Sequence, residues 1–155
     1  MKKDKNYTLF IIENNEAYSF MLKYKLQRYP VYKIISFKSC EECIENMNIK
    51  PDIILLDYKL LNICSDEVLN SLKVYSQKVP FILLSSQEET APILNLIKEG
   101  TFEYVLKEGD STKLANKLIV KIVSILNRKK TVELKTKKMQ MILSLILLVT
   151  AITTQ

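Results

Sequence analysis

Histidine is absent from all 155 residues. The chain therefore cannot carry a phosphohistidine, and imidazole-assisted catalysis and imidazole metal ligation are excluded with it. Cysteine is sparse and odd in number, three in all, and no secretory signal is read at the start. Both lead to the expectation of a reducing, cytoplasmic setting rather than a disulfide framework. Cys40 and Cys43 form a CxxC, but Glu41 and Glu42 lie between the two thiols, and a redox pair wants electropositive surroundings. They read better as small apolar core residues on a helix opened by Ser39, whose spacing to Glu42 is that of a capping box.

Excess positive charge is lacking where a nucleic-acid-binding core would need it. Residues 1–116 carry 15 Lys+Arg against 16 Asp+Glu, a net of −1, while residues 117–155 carry eight against Glu133 alone, a net of +7. The overall +6 therefore belongs to a tail. At 18.0 kDa and 48% hydrophobic the chain can build one domain with a core and a little more. No internal repeat is present, and no DNA-binding or catalytic output domain is visible.

What is present is a series of short apolar runs alternating with helical patterns. The central one is Ile53–Leu56, four apolar residues entered through Pro51 and ended by Asp57. A run so short and so apolar reads as a strand covered on both faces, as in the middle of a parallel sheet. Taken alone, Asp57 reads as the cap of a loop or of the next helix. Tyr7–Ile12 is a first strand, ending in Glu13-Asn14, and residues 15–28 show helical spacing before Pro30 stops them. A second strand is read over Val31–Ser36, followed by a helix bearing Cys40, Cys43, Ile44 and Met47. Ser65-Asp66-Glu67 introduces a helix through about Tyr75. Val79–Leu84 is a fourth strand ending at Ser85, and residues 88–98 form a helix closed by Gly100. Phe102–Leu106 is the fifth strand, ending at Lys107. Asp110 or Ser111 caps a last helix with Leu114, Leu118, Ile122 and Ile125 on one stripe. Strands alternating with helices dictate a parallel, doubly wound α/β sheet with helices on both faces.

In such a sheet the carboxyl ends of the strands converge on one edge. Glu13 and Asn14, Asp57, Ser85 and Lys107 would meet there. Carboxylate oxygens suit Mg²⁺, and an ammonium and a hydroxyl close by suit a phosphoryl group. With these residues at these strand ends, the sequence resembles the receiver domain of two-component response regulators over residues 6–127. The spacings fit without gaps.

The resemblance implies a flavodoxin-like, five-stranded sheet of order 2-1-3-4-5. It also implies that Asp57 accepts a phosphoryl group from a histidine kinase or histidine phosphotransfer protein. Mg²⁺ would be held by Glu13, Asn14, Asp57 and the carbonyl of Lys59. Lys107 and Ser85 would take the phosphoryl oxygens, and Tyr104 would move inward as Ser85 is drawn away. The added negative charge would switch a surface made by the helix over 88–98, the fifth strand and the last helix. Such a protein is no enzyme beyond self-phosphorylation and slow autodephosphorylation. Tyr104 reads equally as a half-buried strand aromatic.

Several positions depart from the family pattern. Asn14 stands where a second acid is usual, which lowers the negative charge available to a metal. Lys59, two residues past Asp57, could bring its ammonium to the site. Leu61, Ile63-Cys64-Ser65 and Glu108-Gly109 replace other characteristic residues. A degenerate receiver, working as a binding or dimerisation module without phosphate, is the alternative. An aspartyl phosphatase would want an acid where Lys59 stands.

Residues 128–155 form a separate segment, basic over Asn127–Lys138 and apolar over Met139–Ile152. The apolar run of about 14 residues is shorter than the roughly 20 that span a bilayer. Heptad spacing of Met139, Ile142, Ile146 and Val149 leads to the expectation of a helix buried in a homodimer. A basic segment before an apolar one also resembles a junction between cytoplasm and membrane, should the chain continue.

Overall fold

The structure, a computed structural model, describes residues 6–29, 32–86 and 102–153. In order these form β1 (Tyr7–Ile12), α1 (Glu16–Leu26), β2 (Tyr32–Phe37), α2 (Cys40–Glu45), a 3₁₀ turn (Met47–Ile49), β3 (Ile53–Asp57), α3 (Tyr58–Leu61), α4 (Asp66–Ser76), β4 (Phe81–Ser85), β5 (Phe102–Leu106) and α5 (Ser111–Thr153). The five strands make one parallel sheet of order β2-β1-β3-β4-β5. This is the flavodoxin-like topology expected. The helix expected over residues 88–98 lies outside the described residues.

Side chains alternate across a strand, and here both alternating sets are buried. Phe10, Ile12, Ile54, Leu56, Phe81 and Leu83 join Cys40, Cys43, Met47 and Leu72 in one apolar cluster. Leu9, Ile11, Ile53, Leu55, Ile82 and Leu84 are buried as completely. Leu22 and Leu26 of α1 and Leu114 and Leu118 of α5 are buried helical positions outside that cluster. A hydrogen bond from Lys25 Nζ to Thr112 Oγ1, 3.2 Å long, ties α1 to the start of α5. Burial on both faces explains why β3 and β4 are continuously apolar rather than alternating.

Local chemistry sets the boundaries. Asn15 caps α1 by accepting from the Tyr18 N–H at 2.9 Å. Ser39 caps α2, but Glu42 reaches past it to the Lys38 N–H at 3.0 Å, so the expected box closes one residue earlier. The fourth strand starts at Phe81 rather than Val79. Proline at position 80 has no N–H for the ladder, and the Val79 N–H is already taken by the Tyr75 carbonyl at 2.8 Å. Asp110, not Ser111, caps α5, its Oδ1 accepting from Thr112 and Lys113 at 2.9 Å each. Just before it Gly109 sits at φ +74°, where a Cβ would approach Lys113 Cδ to 3.2 Å. Two elements were not foreseen, the 3₁₀ turn and α3, and a helix of four residues is too short to show a period.

Two compact units are distinguished, residues 1–120 and 121–155. The second consists of the remainder of α5, helical to Thr153. Leu114, Leu118, Ile122 and Ile125, the expected stripe, are all buried.

The CxxC thiols are core residues. Cys40 and Cys43 are buried, and burial raises both thiol pKa values, that of Cys43 to about 12. Cys64, half-buried after α3, lies against Cys40 and donates its S–H to the Leu60 carbonyl at 2.9 Å. Iodoacetamide at mildly alkaline pH should therefore label Cys64 first, with Cys40 and Cys43 reacting only in denaturant, as peptide mass mapping would record. Leu56→Ala, at a fully buried position in the central strand, should cost about 3 kcal/mol in urea unfolding.

Candidate functional site

The register of the sheet assembles the site. Ile12 pairs with Leu56, so Glu13 and Asp57 leave β1 and β3 side by side. Asp57 is level with Leu84, which sets Ser85 one residue beyond it, and Ser85 pairs with Leu106. Lys107 comes immediately after, its N–H donating to the Ser85 carbonyl at 2.7 Å.

Glu13 and Asp57 are 3% and 4% exposed. Two carboxylates so enclosed need a counter-charge, because desolvation penalises each and each repels the other. Lys107 supplies it. Its Nζ lies 3.1 Å from Asp57 Oδ1 and 3.4 Å from Glu13 Oε2. The remaining hydrogen bonds are local. Glu13 Oε1 accepts from the Asn15 N–H at 2.9 Å, and Asp57 Oδ1 accepts from the Lys59 N–H at 3.3 Å. Asp57 is thus also the N-cap of α3. Capping and ion pairing, two readings that compete in the sequence, coexist on one oxygen. No described residue holds the other oxygen, Oδ2.

Ser85 is completely buried, and its hydroxyl has no hydrogen-bond partner among the described residues. Tyr104 is half-buried and packs against the apolar cluster. Lys59 is exposed and forms no ion pair among the described residues; only its backbone N–H meets Asp57. Asn14 is exposed as well. It lines a shallow cleft with Lys38, Ser39, Leu60 and Cys64, while Glu13 takes the place beside Asp57. The ammonium at the carboxylates is therefore that of Lys107.

Sequence reasoning missed Tyr18. From α1 its ring faces Lys107 Nζ, which lies 4.5 Å from the ring centroid in a cation–π contact. Its hydroxyl is buried without a partner among the described residues. Burial, then the charges of Glu13 and Asp57, push the phenol well above its ordinary pKa, so it stays protonated. The available signal was its place one turn after the Asn15 cap, on the helix that leaves the Glu13 corner.

The donor set is compatible with Mg²⁺. Two hard carboxylates stand side by side, and Mg²⁺ commonly takes one or two carboxylates and keeps several waters. Among the described residues no group of three or more Cys, Asp or Glu side chains gathers. A metal here would rest on Glu13 and Asp57 and on backbone or water oxygens.

A parallel 2-1-3-4-5 sheet with an acidic side chain ending β3 and a lysine after β5 defines a class. The sequence profile of the response regulator receiver domain matches residues 9–119, and the chain belongs to that family, the receiver domains of two-component signalling. Mg²⁺ binding and phosphorelay are typical of the family. Among curated proteins, the chain is 28% identical over 130 residues to protein-glutamate methylesterase/protein-glutamine glutaminase 1 of Carboxydothermus hydrogenoformans, covering 80% of this chain and 38% of that relative. The chain thus spans well under half of that relative's length.

Among solved structures, the signal receiver domain of a putative Luxo repressor protein from Vibrio parahaemolyticus aligns with TM-score 0.68 and 21% identity, over 83% of this chain and 96% of that one. A response regulator receiver domain protein from Clostridium thermocellum gives 0.66 and 19%, over 81% and 98%. The response regulator domain of Thermotoga maritima CheB gives 0.63 and 23%, over 78% and 96%. These likenesses are of fold.

Lys107→Met should leave two buried carboxylates facing each other and cost about 2–3 kcal/mol in urea unfolding. That is below the roughly 3–5 kcal/mol of a fully enclosed pair, because the Lys107 side chain is 22% exposed. Tyr18→Phe removes a hydroxyl that has no partner among the described residues and keeps the ring against the cation. Its stability should match or slightly exceed that of the parent, within about 1 kcal/mol.

Proposed function

We propose that the protein is a phosphorylatable receiver in which Asp57 takes a phosphoryl group from a histidine kinase or histidine phosphotransfer protein on the cytoplasmic side. The observation that carries this reading is the distribution of partners around Asp57. Among the described residues, its one hydrogen bond and its ion pair both fall on Oδ1, which leaves a lone pair of Oδ2 for attack. A lone pair of Oδ2 attacks phosphorus as the donor's P–N bond breaks. The imidazole departs with the electron pair of that bond, and a P–O bond to Asp57 forms. Lys107, already at 3.1 Å, neutralises charge that gathers on the phosphoryl oxygens. The buried Ser85 hydroxyl gains the partner it lacks by donating to one of them.

Mg²⁺ held by Glu13, Asp57 and the Lys59 carbonyl would screen the incoming negative charge when bound. Asn14, exposed and uncharged, would add at most a water-mediated contact, so the metal affinity is expected to be weak. Tyr104 would follow Ser85 inward, and the response would pass to the surface around β5. The proposal involves no turnover beyond self-phosphorylation and slow hydrolysis. The methylesterase and glutaminase activities named for the curated relative are not part of it, and the chain holds no histidine to act as a base.

The test is intact-mass analysis after incubation with acetyl phosphate and Mg²⁺. One phosphoryl adduct is expected on the parent and none on Asp57→Asn. Ser85→Ala should slow labelling at least roughly tenfold, toward the roughly hundredfold or more that loss of one charge-stabilising donor costs. If the parent stays unlabelled under conditions that label another receiver, the phosphorylation reading fails, and a binding or dimerisation module that works without phosphate takes its place.

A further inference from the structure

The exposed end of α5 beyond Leu126 has the character of a membrane insert, and we propose that its apolar run, Met139–Ile152, embeds along the helix axis in an anionic lipid bilayer, with the basic segment seated among the headgroups. This goes beyond the receiver reading and does not depend on it.

The apolar residues from Met139 to Ile152 are all exposed, the large ones between 39% and 69%. Surface of that extent on a helix does not remain in water. Its distribution identifies what covers it. At about 100° per residue, the apolar positions of 139–152 leave no gap wider than about 60° around the axis. A two-stranded coiled coil would bury the seam of Met139, Ile142, Ile146 and Val149. It would leave Leu143, Leu145, Leu147 and Leu148, each at least 52% exposed, facing water. A helix lying in the membrane surface would likewise present half of this circumference to solvent, and such helices need a polar face that is missing here. Insertion along the axis covers every side at once.

The hydroxyls of Ser144 and Thr150 within the run, and of Thr153 just past it, are compatible with a hydrocarbon surrounding. Ser144 Oγ donates to the Gln140 carbonyl at 2.9 Å, Thr150 Oγ1 to the Leu147 carbonyl at 2.9 Å, and Thr153 Oγ1 to the Thr150 carbonyl at 3.1 Å. Each hydroxyl is satisfied by its own helix, as a medium without water demands. By length and composition this helix can cross a membrane. The 14 apolar residues reach about 21 Å against a hydrocarbon thickness of about 30 Å. Long lysine stems at the edge and local thinning of the bilayer absorb such a shortfall.

Charge supplies the lipid class. Arg128, Lys129, Lys130, Lys135, Lys137 and Lys138 stand against Glu133 alone, immediately before the apolar run. A basic cluster at that place binds anionic headgroups, each cation contributing roughly a fivefold factor. It also keeps its side of the helix on the cytoplasmic face.

Flotation of the full chain with vesicles tests the proposal, using phosphatidylcholine alone and phosphatidylcholine mixed with phosphatidylglycerol. The chain should float with the mixed vesicles and stay with them through high salt and alkaline carbonate. Replacing Lys135, Lys137 and Lys138 together by Gln should lower partitioning roughly a hundredfold. The double substitution Leu145→Asp and Leu148→Asp should abolish it, while circular dichroism shows the helix content retained. Release by high salt would mean attachment by charge alone and would overturn insertion. Failure to float, whether as a discrete dimer by light scattering or as an aggregate, would overturn it too, the dimer naming a second copy as the occupant.

Discussion

One ammonium group holds the working edge of this protein together. Glu13 and Asp57 are brought side by side by the pairing of two central strands, and nearly all water is excluded from them. Neither would be tolerable there alone. Lys107 reaches both, and it can do so because the fifth strand ends level with Ser85, one residue before the lysine. The compensation is incomplete by one charge, since two carboxylates share one cation. Among the described residues, that surplus negative charge and the unheld second oxygen of Asp57 are what the proposed phosphoryl chemistry draws on.

The side chains around this ion pair are under-satisfied in a consistent direction. The hydroxyls of Ser85 and Tyr18 are buried donors without acceptors among the described residues. A buried unpaired donor costs about 1–3 kcal/mol, a cost that the proposed phosphoryl acceptance would relieve at Ser85. Asp57 is also tied mechanically to the helix next in the chain, because the oxygen that meets Lys107 also caps α3. A change in charge at that carboxylate bears directly on the first turn of α3. That helix carries Leu60 and Leu61 of the apolar cluster, and through Leu60 it holds the Cys64 thiol.

The two units differ in how they place apolar residues. Residues up to 120 obey the rule for a parallel sheet, apolar strands enclosed between helices with charge left at one edge. From Met139 the last helix follows a different pattern, apolar and exposed on every side, with its cations gathered just before that run. Charge divides along nearly the same line, an almost neutral body and a strongly basic extension.

Most of the architecture could be read from the chain because its signals are local. Continuous apolar runs bounded by Pro51, Pro80 and Gly100 mark strands and breaks, and Asn15, Ser39 and Ser65 announce helix starts by the hydrogen bonds their side chains offer. The same locality explains the errors. Pro80 moved the start of β4 by denying the ladder a donor, and α3 escaped notice because it completes barely one turn. The polar strand ends were legible as a set, since a parallel sheet can put them only at one edge. Which of them touch is a matter of register and reach, and these depend on residues far apart in sequence. Lys59 is a near neighbour of Asp57 in the chain and keeps its ammonium in solvent; Lys107 is distant in the chain and supplies the charge. Tyr18 enters the site only because α1 packs where it does. Sequence alone thus determined the order of elements, the acidic strand ends and the division of charge, because each depends on residue type and short spacing. Tertiary structure alone decided which cation meets the buried carboxylates, which oxygen of Asp57 stays free and which hydroxyls lack partners, because those depend on strands and helices that meet across long stretches of chain.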